Sequence, residues 1–342
     1  MIIYRSKKRL LYYYKHMKEV KVKRDDSQCE SSRKILPIAL KPKGMGFYLR
    51  RDWELYALVF LPMVFVLLFK FGPMFGLIIA FKDYRIARGF LGSSWVGFRV
   101  FQEVFSHRLF LPALRNTLIL NFLDLVMGFP MPIILALLLN EVTTKWFKKV
   151  TQTLLYLPHF LSWVIIGGIA YQLFSVNTGM INNLLGSIGM RRFPFLTSDV
   201  PWLVSYVLIG MWQSMGWGTI IYLASISGIN PELYEAATVD GAGRLRQCFS
   251  VTIPCIRSTI VILLIMNLGR IMGGSFERIY ALANVAATEF TTTIPVLVYR
   301  WGIQSMNFSR ATALGLFQSV IGLAMVLASN FVAKKLGEEG LL

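Results

Sequence analysis

The sequence predicts an all-α fold: a polytopic membrane helical bundle of about six transmembrane helices with a helical cytoplasmic loop. Three observations carry that expectation. Of 342 residues, 55% are hydrophobic and only 16% are charged, whereas soluble domains carry about 25% charged residues. Several windows hold about 20 mostly apolar residues, enough to cross ~30 Å of hydrocarbon at 1.5 Å per residue. Lys and Arg are then shared unevenly between the loops that join these windows.

The first element is a basic tail, residues 1–45. Residues 1–54 contain 15 Lys and Arg against 6 Asp and Glu, which is half of the net charge of +18. A basic tail ahead of a first span fits the positive-inside rule and attraction to anionic lipid. It argues for a lipid bilayer and against nucleic acid as the partner. The tail lacks an apolar core followed by a small-residue cleavage site, so the first span is expected to be an uncleaved anchor.

Six spans are expected within a membrane domain of residues 46–336: 55–81, 117–140, 154–174, 202–226, 256–276 and 311–332. A short tail, 337–342, follows. The first span contains Lys70 and Pro73 and is either one long tilted helix or a helix that breaks near Gly72-Pro73. With the N-terminus inside, the inner segments hold 23 Lys and Arg and the outer loops hold 11. That split places both termini in the cytoplasm. Residues 98–110 put Phe98, Phe101, Phe105 and Leu109 at helical spacing. They predict a short amphipathic helix, lying either on the outer surface or on its own bundle. The segment 175–189, rich in Gly, Asn and Ser, predicts an ordered loop or short helix.

Several chemistries are excluded. There is no G-x-x-x-x-G-K-[ST] loop, no H-E-x-x-H and no G-x-S-x-G elbow. Cys29, Cys248 and Cys255 are spaced for neither zinc nor a disulfide framework, and His16, His107 and His159 are far apart. No metal site and no cofactor of its own are expected in this chain, and it is not expected to be an enzyme. Movement of a solute through a helical bundle becomes the leading class.

The inner loop between the fourth and fifth spans carries the densest information. Asn230 suits a helix cap and Pro231 the first helical position. Residues 231–239 then predict two turns of helix, stopped by Asp240-Gly241. A second helix is expected from Arg244 toward Pro254. The small residues beside Leu233 leave a slim knob, with Glu235 on another face. The knob either seats in a cleft of another protein or folds on its own bundle.

The pattern Glu235-Ala236-Ala237, Asp240-Gly241-Ala242, Arg244 and, after Thr252-Ile253, Pro254 resembles the EAA loop of permease subunits in binding-protein-dependent ABC importers. IIAFKDYRIARGFLGSSWVGF, LPHFLSWVIIGG, FERIYAL and TTTIPVLVYRWGI are similar to the oligosaccharide and polysaccharide branch of that family. The resemblance implies a type I importer fold, with residues 230–254 as the coupling helix that docks on an ATPase subunit. It implies a second homologous permease subunit, two ABC ATPase subunits that carry ATP and Mg, an extracytoplasmic solute-binding protein, and a saccharide as cargo. Phe249 and Cys248 depart from the usual aromatic pattern, which is expected to alter packing and not role.

Polar residues inside spans are costly and usually face the bundle interior or a water-filled cavity. His159, Ser162 and Trp163 on the third span are candidates for the substrate path. So are Gly210, Gln213, Ser214 and Trp217 on the fourth, and Asn267, Arg270 and Gly274 on the fifth. Each has a structural alternative: Gln213 and Ser162 as helix-to-helix links, the glycines as close-approach points, His159 satisfied by a carbonyl. Arg270 either pairs with Asp124 or faces a cavity and attracts an anionic substrate. Two rival classes remain: an ion-driven secondary transporter working through Asp124, and a membrane scaffold without a substrate path.

Overall fold

A computed structural model describes residues 52–274, 276–283, 289–335 and 337. The basic tail and residues 338–342 lie outside them. The coordinates divide after Leu67. In the first unit the described residues are one helix, α1 (Trp53–Val66), with no buried residue, as suits a helix bathed in lipid.

The second unit begins as the helical chain changes pitch, through a π turn at Leu67–Phe71 and a 3-10 stretch at Gly72–Phe81. The run Trp53–Phe81 is long and apolar enough to cross a membrane. Two short strands follow, β1 (Lys82–Asp83) and β2 (Ser94–Trp95), paired antiparallel. Ser309 ties this loop down, accepting from the Tyr84 N–H at 2.9 Å and donating to the Lys82 carbonyl at 2.7 Å.

Helix α2 (Arg99–Phe105) is the short amphipathic helix, but its buried face is not the phenylalanine stripe. Val100 and Val104 are buried, while Phe98 and Phe105 stay exposed. The helix packs on its own bundle, among residues such as Leu314 and Ala313 of the last span.

The second span is one run, α3 (Phe110–Leu123), a π turn at Asp124–Gly128 and α4 (Pro130–Glu141). Pro130 and Pro132 lack N–H donors, and the helix loosens in the turn before them, where Phe129 N–H reaches back to the Asp124 carbonyl at 3.2 Å.

The third span departs from expectation. It is a bent pair, Lys145–Phe160 and Trp163–Phe174, turned by 102°. Helix α5 (Lys145–Tyr156) passes into a 3-10 turn at Leu157–Phe160 that holds Pro158. Leu161 and Ser162 are extended, and the Ser162 hydroxyl caps α6 (Trp163–Phe174) by accepting from Ile165 N–H. Helix α7 (Met180–Ser187) fills the next loop; buried Asn182 donates to the Ser175 and Phe193 carbonyls at 3.0 Å each.

Helix α8 (Asp199–Ser227) is the fourth span. Trp202, Tyr206, Gly210, Gln213, Thr219, Tyr222 and Ile226 form its buried stripe. Its two ends join different core clusters, with Trp202 and Tyr206 beside Ile279 and Val296, and Tyr222 and Ile226 beside Ala136 and Ile256.

The loop after α8 holds α9 (Glu232–Val239) and α10 (Arg244–Gln247), and a π turn at Cys248–Thr252 continues to Cys255. The fifth span is a second correction. Helix α11 (Arg257–Gly269) has only 13 residues, is bent by 62° from the segment before it, and stops well short of residue 276. Arg270 takes φ −94° and ψ 3°, and Gly274 takes φ +43°, so the chain turns away from the axis here. Helix α12 (Phe276–Leu282) follows, then α13 (Ile294–Tyr299) and the last span, α14 (Phe308–Lys335).

Candidate functional site

The broken third and fifth spans open a cavity of about 590 Å³ against the face of α8. Nine of the ten residues expected along the path line it: His159, Trp163, Gly210, Gln213, Ser214, Trp217, Asn267, Arg270 and Gly274; Ser162 does not. Its volume lies in the range of ligand sites, roughly 300–1,000 Å³. The chain breaks explain the convergence, which is different from the shared helix faces that spacing suggested. Ser162 restarts the third span so that His159 and Trp163 sit on opposite sides of a bend, and Arg270 and Gly274 belong to a turn, not to α11.

The lining is aromatic and polar. The His159 ring stacks on Trp217, with centroids 4.5 Å apart and planes 7° from parallel. Phe160 meets Trp217 edge-on. Among the described residues His159 Nδ1 is buried without a hydrogen-bond partner. The Ser214 hydroxyl donates to its own helix at the Gly210 carbonyl, 2.8 Å away, and the Asn267 amide donates to the Leu263 carbonyl at 2.8 Å.

The ion pair at the cavity wall decides between the two readings of Arg270. Asp124 pairs with Arg278, not with Arg270. Arg278 is 5% exposed and donates to both Asp124 and the Tyr206 hydroxyl. Its guanidinium lies 3.7 Å from the Tyr206 ring centroid and 5.7 Å from that of Trp163. The group sits so tightly on α8 that a Cβ at position 210 would overlap it. Glycine at 210 therefore makes room for the guanidinium. The Asp124 carboxylate, on which the ion-driven alternative rested, is engaged by Arg278. Sequence reasoning counted Arg278 among outer-loop cations. The signal that marks it as buried is its place on one helix face with Ile279 and Leu282, both core residues.

The loop 230–254 forms a second, separate feature. Asn230 Oδ1 accepts from Glu232 N–H at 3.1 Å, just outside Pro231 at the cap position. Helix α9 ends in paired bonds, Ala242 N–H to the Ala237 carbonyl at 2.9 Å and Gly241 N–H to the Thr238 carbonyl at 3.0 Å. Gly241 supplies the left-handed φ of +75° that this ending requires. Gln247 clamps the turn, donating to Thr238 Oγ1 and to the Ala242 carbonyl, each at 2.9 Å. Tyr234 and Thr252 share a hydroxyl hydrogen bond at 3.0 Å, and Arg244 lies 3.8 Å from Glu141. Ala237 and Ala242 are half-buried in this clamp, while Glu235, Ala236, Asp240, Gly241, Arg244 and Pro254 are exposed. So are Val239 (88%), Leu245 (79%) and Phe249 (69%). A rigid, clamped turn thus presents an apolar tip ringed by charge.

Known proteins resemble the chain along most of its length. Residues 128–337 match the model of the family described as binding-protein-dependent transport system inner membrane component. The polygalacturonan/rhamnogalacturonan transport system permease protein YteP of Bacillus subtilis (strain 168) is 45% identical over 88% of this chain and 94% of its own length. Protein LplB of the same organism is 42% identical over 89% of this chain and 96% of its own. Among solved structures, a chain of a bacterial alginate ABC transporter, in complex with an alginate pentasaccharide-bound periplasmic protein, superposes with a TM-score of 0.79. It is 39% identical and covers 87% of this chain and all of its own.

Proposed function

The chain belongs to the binding-protein-dependent transport system inner membrane component family, and on that premise we propose that it is the permease subunit through which an ABC importer takes up an oligo- or polysaccharide. The observation that carries this reading is the cavity walled by stacked aromatic rings and amide side chains, in a bundle that also displays a rigid exposed loop. Ring faces suit the apolar faces of sugars, and amides suit their hydroxyls. Relatives named for polygalacturonan/rhamnogalacturonan and alginate transport support the saccharide class.

The division of labour follows from the residues. The chain has no phosphate-cradling loop, so ATP and Mg belong to two partner ATPase subunits, and no cofactor resides here. Residues Glu235 to Ala242, with Arg244 and Pro254, form the handle those subunits grip. Its clamped turn suits it to pass on displacement without deforming. Closing of the ATPases moves the loop, and the bend at Ile256 relays that motion into α11 and the cavity wall. A second permease of similar fold completes the path, and an extracytoplasmic binding protein delivers the saccharide. The termini lie in the cytoplasm, as the Lys and Arg split favours. Substrate contact falls to His159, Trp163, Gln213, Ser214, Trp217, Asn267 and Arg270, with Gly210 and Gly274 shaping the wall.

The test is purification of the tagged chain with its complex, followed by uptake in proteoliposomes. A Walker-containing subunit and a second permease are expected to co-purify. Glu235→Lys is expected to reduce saccharide uptake at least tenfold while the complex loses its ATPase or its sugar-stimulated ATPase. Full uptake and stimulation in that variant would contradict the handle, and purification without an ATPase would contradict the importer.

A further inference from the structure

The cavity wall carries three formally charged side chains, Asp124, Arg270 and Arg278. Two of them cancel. Arg278 and Asp124 form a buried pair completed by Tyr206. Arg270 is left over. It is exposed to the cavity, it stands one residue past the end of α11, and among the described residues nothing accepts a hydrogen bond from its guanidinium. The one carboxylate on the wall is already taken by Arg278, so the cavity presents an uncompensated positive charge.

An unpaired guanidinium within membrane depth is costly unless water or an anion reaches it. Low-dielectric walls strengthen its attraction for an anion over that in bulk water. We propose that Arg270 is the specificity-determining residue of this path, reading the ionised carboxylate of an acidic saccharide unit while the His159–Trp217 stack receives the ring face. The proposal rests on the saccharide-import reading above and adds the charge of the cargo and the group that senses it. One guanidinium offers two parallel N–H donors and one charge. That matches one carboxylate better than a phosphate ester, which brings close to two negative charges.

The experiment uses the complete importer in nanodiscs without its binding protein, so that the recognition measured belongs to the permease. The probes are oligogalacturonides, alginate oligosaccharides, their carboxyl-reduced neutral counterparts, and a hexose phosphate. At least one uronide is expected to bind tenfold or more tighter than its reduced counterpart. Arg270→Gln is expected to bring that ratio to within twofold by weakening the uronide alone, and Arg270→Lys to retain part of it. An unchanged ratio in Arg270→Gln, equal loss on charged and neutral probes, tightest binding of the hexose phosphate, or no binding to wild type overturns the proposal. If no saccharide is taken up by proteoliposomes that include the binding protein, the import reading itself fails. Uptake without a uronide preference in binding sinks only the role of Arg270.

Discussion

Arg278 and Arg270 stand eight residues apart and line the same cavity, yet they live in opposite environments. Arg278 is buried, wedged against α8 where residue 210 has no side chain, and shared between a carboxylate, a phenol and two aromatic rings. Arg270 is exposed on a turn with no acceptor among the described residues. The same side chain thus serves as a rivet in one place and as an open hand in the other. Partner geometry makes the difference, since a buried charge persists only when paired and hydrogen-bonded.

The strongest way to break this contrast is to take the partner from Arg278. Asp124→Ala leaves a buried guanidinium unpaired and is expected to cost about 3–5 kcal/mol of stability. The readout is a large drop in the thermal midpoint of the detergent-purified protein. Replacing both partners, Asp124→Asn with Arg278→Met, is expected to recover much of that loss. A double variant as damaged as the single one would show that the charge was not the problem.

A smaller disturbance comes from the wall opposite. Gly210→Ala places a methyl where the guanidinium lies, and overpacking of this kind costs about 1–3 kcal/mol. The same thermal assay should show an intermediate shift. It should disappear in the Arg278→Met background, because the collision partner is then gone.

The smallest effect is expected at Arg270. Arg270→Gln removes no protein contact and should change stability by less than about 0.5 kcal/mol. A thermal midpoint that fell as far as for Asp124→Ala would reveal a structural role and erase the distinction between the two arginines.

The geometry of the loop 230–254 is legible in the sequence because it is local. Asn230, Pro231 and Gly241 act within a few residues of their own backbone, and helix, left-handed stop and second helix followed from them. The lining residues were legible as a set, because polar groups in apolar windows have few places to go. Their arrangement was not. Spacing treated the fifth span as one helix to residue 276, whereas the chain turns at Arg270–Gly274, so that Arg270 shares no helix face with Asn267. Nor did spacing choose the partner of Asp124. Arg270 was open to pairing with Asp124 or facing a cavity, and Arg278, which takes the carboxylate, fell among the outer-loop cations.

By itself the sequence determined the membrane class, the loop after the fourth apolar window and the two helices of that loop. These depend on hydropathy, on charge bias and on backbone preferences that act over one or two turns. Only the tertiary structure decided that the valines of α2 are its most buried residues, where the third and fifth spans break, and which arginine is neutralised. Those outcomes depend on the space left by distant neighbours. The absent side chain at Gly210 admits the Arg278 guanidinium from 68 positions along the chain, and no local preference encodes that fit.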